Sequence, residues 1–427
     1  MNTDQNPYTS ARARYYALGL LTVVYTFNFV DRQLLSILQE SIKADLLLSD
    51  QQLGLLTGFA FALFYTLAGI PIARYADRNN RRNVVAIAIA LWSFMTAISG
   101  LVQNYLQLLL ARIGVGVGEA GGSPPAHSMI SDIFPPERRA SALAFYSMGI
   151  NFGILFGFLA GGWLNEFFDW RVAFFVVGAP GIVVALFVRY TLREPIRGLM
   201  EDRQDVATDT PFPKVLKLLW SRLSFRHLAI GGALNAFAGY SSSNWTASFM
   251  IRSHDMSTGE LGTWLALIMG VGGAIGVFWG SYIAERLAKF DVRWYMWMPT
   301  ITGMICVPFM IATYVVEGAY TALIVSMVPG ILFNVYLGNS LAMTHALVGL
   351  RMRAVASAIL FFLINLIGMG LGPWGVGLLS DMLSAELGNE SLRYAMLYLL
   401  PAAMAWSAVH FLLASRTLQK DLEAAPA

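Results

Sequence analysis

Apolar residues in this chain come in long runs broken by charges, Pro and Gly, not in the alternation of half-buried strands. A run such as VASAILFFLINLIGMGLGPWGVGLL exceeds the ~20 residues that, at about 1.5 Å per residue, cross about 30 Å of hydrocarbon. Six such spans are predicted near 16–38, 51–73, 83–103, 105–131, 140–164 and 171–190. Six more are predicted near 227–250, 260–284, 294–316, 319–346, 354–380 and 393–415. An even count puts both termini on one side. The expected fold is an all-α membrane protein of twelve transmembrane helices, with one six-helix bundle over 1–190, a linker over 191–226 and a second bundle over 227–427.

Composition agrees, at 56% hydrophobic and 13% charged, where a soluble domain carries about 25% charged residues. Twenty-three of the 29 Lys and Arg fall on the side that holds the termini. Lys43, Arg171, Arg252 and Arg393 fall on the other, and Arg32 and Arg112 lie within spans. This bias predicts a multi-pass inner-membrane protein with both termini cytoplasmic. The same spread over many loops excludes a nucleic-acid partner, despite the net charge of +3, because no single basic patch forms. Asp31 and Arg32 in the first run, with no small-residue cleavage site, make it helix 1 and not a removable signal. The one cysteine, Cys306, reads as a packing residue. EPIRGLMEDRQDVATDTPFPKV reads as a tether between halves.

The halves repeat one another. GIPIARYADRNNRR and GSYIAERLAKF align Asp77-Arg78 with Glu285-Arg286 at an offset of 208, and RRASALAFYSMGIN and RAVASAILFFLIN align Arg139 with Arg353 and Asn151 with Asn365 at an offset of 214. Six spans restore the starting side, so the repeats run parallel about an axis normal to the membrane.

At these residues the chain resembles the major facilitator superfamily. ADRNNRR looks like the signature between helices 2 and 3, with AERLAK as its degenerate copy, and Arg112 stands where a helix 4 arginine is expected. GINFGILFGFLAGG resembles the helix 5 glycine motif without its usual proline, while GLGPWGVG carries Pro373. Within the superfamily the chain is most similar to Spinster-like lipid transporters, through FNFVDRQLLS, RIGVGVGEAGGSPPAHSMISDIFPPERR and DWRVAFFVVGAPG. An Asp-Arg pair in helix 1 and a Glu in helix 4 also occur in proton-coupled organic-anion symporters. The resemblance implies alternating access by two pseudo-symmetric bundles. It also implies an inner gate of Asp77, Arg78, Arg81, Arg82, Glu285 and Arg286 against the starts of helices 5 and 11.

Four strongly ionisable residues lie well inside the predicted spans: Asp31, Arg32, Arg112 and Glu119. Each would cost roughly 2.5–3.5 kcal/mol unpaired at a helix centre, so they must pair or face water. Arg112 and Glu119 are seven residues apart and differ by only about 20° around helix 4. Tyr25, Asn28 and Arg32 share a face of helix 1. The set is either an ion pair fastening helix 1 to helix 4 or a substrate and proton path. On the second reading Glu119, with Asp31 as second candidate, couples protons. Burial opposes its charge and Arg112 favours it, and a carboxylate that trades Arg112 for a proton frees that arginine. Arg112 and Arg32 suit phosphate or carboxylate oxygens. Asn151 on helix 5, and Asn235, Asn244 and Asn339 in the second half, are candidate neutral contacts, or else helix contacts only.

The glycines of GVGVGEAGGSPP and Gly149, Gly153, Gly157 and Gly161 read as helix packing. HExxH and GxSxG do not occur, so no enzyme, metal site or cofactor is expected. The expected partners are the bilayer, protons and an amphipathic lipid or small organic anion, and the expected state is a monomer.

Overall fold

A computed structural model describes residues 7–198, 211–349 and 352–426, and these contain helices and no strand. The helices are α1 (Ala11–Leu46), α2 (Asp50–Arg78), α3 (Arg81–Ser99), α4 in two pieces (Tyr105–Glu119 and Ser123–Ile133), α5 (Pro136–Phe167) and α6 (Trp170–Thr191). There follow a short helix Phe212–Ser221, α7 (Leu223–His254), α8 (Thr258–Ala288), α9 (Trp294–Val315), α10 (Ala319–Ala346), α11 (353–387) and α12 (Ser391–Glu423). Most are long and apolar enough to cross a membrane on those grounds alone. Three fall short: α1 and α7 are diluted by polar residues, and α4 is broken at 120–122 within its glycine-rich stretch.

Contacts divide the chain into two units, each of which takes a short segment from the other half of the sequence. One gathers the described residues of 1–48, 60–207 and 258–266; the other gathers those of 49–59, 208–257 and 267–427. The centre of the predicted linker, 199–210, lies outside the described residues.

Within the first unit, the glycine ridge of α5 lies on α1. A Cβ on Gly153 would overlap that of Phe29 and stand 2.6 Å from the Thr26 carbonyl, and one on Gly157 would meet Gln33 and Val30 at 2.9 Å. The second unit repeats the device, with Gly368 of α11 against Ala236 and Gly372 against Phe237 and Ser241 of α7. Small residues at one helix face allow this close approach.

The repeat also reaches the caps. Leu47 and Asp255, 208 residues apart, are the two non-glycine residues with left-handed backbone among those described, and they end α1 and α7. From Gly153 and Gly368 onward the α5–α11 offset is 215 instead of 214. The added residue is taken up by the π-helical stretch Ile364–Leu371 in α11, since a π turn inserts one residue into an α-helix.

The start of α2 is held inside the second unit. Asp381 accepts from the Asp50 and Gln51 amides (3.0 and 2.8 Å), and buried Asp50 takes both outer nitrogens of Arg252 at 2.7 Å and the Ser380 hydroxyl at 2.6 Å. In the first unit Glu166 does the same for the start of α8, accepting from the Thr258 hydroxyl and the Gly259 amide at 3.1 and 3.3 Å. A carboxylate suits these orphan amides and the positive end of the helix dipole.

Candidate functional site

The four predicted intramembrane charges meet inside the first unit. α1 supplies Asp31 and Arg32, the first piece of α4 supplies Arg112 and Glu119, and all but Arg32 are buried. Arg32 Nε and Nη2 both lie 2.8 Å from Glu119 Oε2. Glu119 is therefore paired with Arg32, where the sequence pointed to Arg112. Arg112 remains close enough to feel both carboxylates, so two acids and two arginines form a set whose formal charges cancel. That neutrality is what makes four ions tolerable in an apolar unit.

The set is not saturated. Arg112 Nε and Nη1, both Asp31 oxygens and Glu119 Oε1 are buried without a hydrogen-bond partner among the described residues. Asn28 lies beside Glu119 and Thr96 of α3 beside Asp31. A buried guanidinium with two unmade donor bonds favours an anion that can supply oxygens. Rings of α1 and α2 enclose the arginines: Arg32 Cζ stands 4.8 Å from the centroids of Phe29 and Phe61 and 5.2 Å from that of Tyr65, and Arg112 Cζ 5.7 Å from Phe61. Ring faces attract these cations.

Tyr25 stacks flat on Tyr146 of α5 at 4.5 Å, and His127 meets Tyr146 edge-on at 5.1 Å. Sequence reasoning named Tyr25 and missed the other two. The one signal for Tyr146 was its place one turn before the glycine ridge. Asn151 lies half-buried in the same unit. Beside these groups Gly19, Thr22, Val23, Thr26, Phe145, Phe152 and Phe156 line an apolar groove of about 280 Å³.

In the second unit Asn235, Asn244 and Asn339 are buried. Asn244 and Asn339 donate to carbonyls one turn back on their own helices, Tyr240 and Val335, at 2.8 and 3.1 Å, and Asn235 points to Met404 Sδ at 3.6 Å.

The predicted gate residues separate into two kinds. Asp77, Arg78, Glu285 and Arg286 are exposed. Arg81 is 1% exposed and bonds Asp132 (2.5 Å), Ser128 (2.7 Å), Glu194 (2.8 Å) and the Pro195 carbonyl (3.0 Å). Glu194 also accepts from the Arg82 amide at 2.9 Å, and Arg197 donates to the Ala76 and Asn79 carbonyls. The segment after α6 thus closes under the α2–α3 turn. Asp132 and Glu194 were not anticipated.

The family model described as Major Facilitator Superfamily matches residues 21–373. The chain is 35% identical to an MFS-type efflux pump of Mycolicibacterium smegmatis, over 99% of this chain and 97% of that one. It is 24% identical to the "Probable galactarate/D-glucarate transporter" of Bacillus subtilis, over 73% of this chain and 74% of that one. A crystal structure of a bacterial homolog to the human lysosomal transporter Spinster matches with a TM-score of 0.85 at 33% identity, covering 96% of this chain and 99% of that one.

Proposed function

The chain belongs to the Major Facilitator Superfamily and is a membrane transporter of the Spinster-like type; from that premise we propose a proton-coupled carrier of an amphipathic lipid with an anionic or zwitterionic head, such as a lysolipid or sphingolipid phosphate. The observation that supports it is the set of Asp31, Arg32, Arg112 and Glu119, buried but for Arg32 and balanced in formal charge, in which Arg112 still has two donors to offer. Protonating Glu119 removes the charge that holds Arg32 at 2.8 Å, and the released fork joins Arg112 in binding headgroup oxygens. Loss of that proton returns Arg32 to Glu119 and expels the head. The apolar groove and the rings beside the arginines suit the rest of an amphipathic molecule. Asp77, Arg78 and Arg82, with Glu285 and Arg286 in the repeat, serve as the inner gate, and the excess of Lys and Arg at one end sets both termini in the cytoplasm.

A second reading, a carrier of small organic anions, is favoured by the likeness to the sugar-acid transporter. Both are tested by flux into proteoliposomes with lysolipids and hexuronates under imposed pH gradients. Glu119→Gln should abolish the pH dependence of flux and leave counterflow in part. Arg112→Lys should weaken substrate binding at least tenfold with little change in thermal stability. A full pH response in Glu119→Gln refutes coupling at that residue. Uptake of hexuronates without lysolipids replaces the lipid reading with the organic-anion one.

A further inference from the structure

Two of the five histidines meet where α7 crosses α12, within the second unit, whereas the charged set belongs to the first. His227 Nδ1 and His410 Nδ1 are 2.9 Å apart, their ring centroids 5.1 Å apart and their planes tilted by 43°. Both are half-buried, and among the described residues neither has another hydrogen bond. The helices are braced around them. The Ser407 hydroxyl donates to the Gly231 carbonyl at 2.7 Å, and Gly231, one turn from His227, lets the His410 stem approach closely. Trp406 lies over His410 at 6.3 Å. The charged group facing the pair is Arg226, whose Nε is turned to the Trp220 carbonyl.

Facing Nδ1 atoms at this distance need a hydrogen between them, so one imidazole carries its proton on Nδ1 and the other on Nε2. A metal ion can take that hydrogen's place. Zn–N bonds of about 2.0–2.1 Å at a tetrahedral angle put two ligand nitrogens about 3.3 Å apart, only about 0.4 Å wider than this pair. We propose that His227 and His410 form a two-imidazole site for a borderline transition-metal dication, Zn²⁺ or Cu²⁺, that clasps α7 to α12. On binding, the shared proton moves from Nδ1 to Nε2 of the same ring through solvent. Both lone pairs then reach the metal and no net proton is released. Among the described residues the Nε2 atoms have no hydrogen-bond partner to resist that shift, and half-burial leaves the remaining coordination positions open. The site stands whether or not the lipid reading holds, since it shares no residue with the charged set.

The test uses the full chain in nanodiscs with any affinity tag removed, titrated with Cu²⁺ at pH 7.5 and read by electron paramagnetic resonance. One equivalent should bind with two equatorial imidazole nitrogens. His227→Gln and His410→Gln should each lose the two-nitrogen pattern and weaken binding at least tenfold, with His127, His254 and His345 left in place as an internal control. Zn²⁺ should raise the Tm of the native protein and leave that of His410→Gln unmoved. If either variant fails to fold, His227→Asn or His410→Asn at the same position should show the same loss of the two-nitrogen pattern. Unchanged copper binding in both folded variants, a one-nitrogen signal in the native chain, or no Zn²⁺ effect on its Tm overturns the proposal.

Discussion

Arg81→Met should open the segment after α6 before it weakens anything else. In the native chain the Arg81 guanidinium joins Asp132 and Glu194, and those side chains are 12% and 24% exposed. Removing one partner of a buried pair costs about 3–5 kcal/mol, because the charge left behind is uncompensated. Here both carboxylates regain part of their hydration, so the lower end, about 3 kcal/mol, applies. At about 1.4 kcal/mol per tenfold, that raises the open population of 192–198 on the order of 100-fold. The segment carries two tryptic sites, Arg193 and Arg197, and cleavage tracks the open population when reclosing is fast. Limited trypsinolysis in nanodiscs with peptide mapping should show cleavage after both residues accelerated by about that factor. Arg81→Lys, which keeps the charge but loses the fork, should fall between. If the cleavage rate at Arg193 and Arg197 is the same in Arg81→Met as in the native chain, the network does not hold the segment and Arg81 is free to act in gating.

The glycine ridge makes a paired prediction. Gly153→Ala should cost about 1–3 kcal/mol by overpacking against Phe29, whereas Gly19→Ala on α1, which has open space at its Cβ position, should be neutral or slightly stabilising; equal Tm shifts would contradict the packing. Asp50→Asn should destabilise by about 3–5 kcal/mol because it removes the buried charge that Arg252 is paired with. Adding Arg252→Met should recover most of that loss, and a double variant as unstable as the sum of its singles would show the pair to be uncoupled.

Much was legible in the sequence because a bilayer imposes length and polarity on any helix that crosses it. Hydrocarbon thickness produced runs of about 20 apolar residues, the cost of buried charge made Asp31, Arg32, Arg112 and Glu119 conspicuous, and the internal repeat put Asp77-Arg78 and Glu285-Arg286 in register. Helical geometry then placed Arg112 and Glu119 on one face of α4, and they do meet α1 together.

Partners were a different matter. A helical wheel gives the face on which a side chain stands, but not the rotation and depth of the neighbouring helix, so only the tertiary structure gave Glu119 to Arg32 instead of Arg112. For the same reason Arg81, which read as a gate residue beside Arg82, is buried against Asp132 and Glu194 from segments 51 and 113 residues further along the chain. Tyr146 joins Tyr25, and His227 meets His410 across 183 residues. The change of offset between α5 and α11 became intelligible once Ile364–Leu371 was seen as π-helical. Spans, charges and repeats are local or periodic properties of a chain in a bilayer and can be read along it. Which polar atom satisfies which other is settled only when the helices pack.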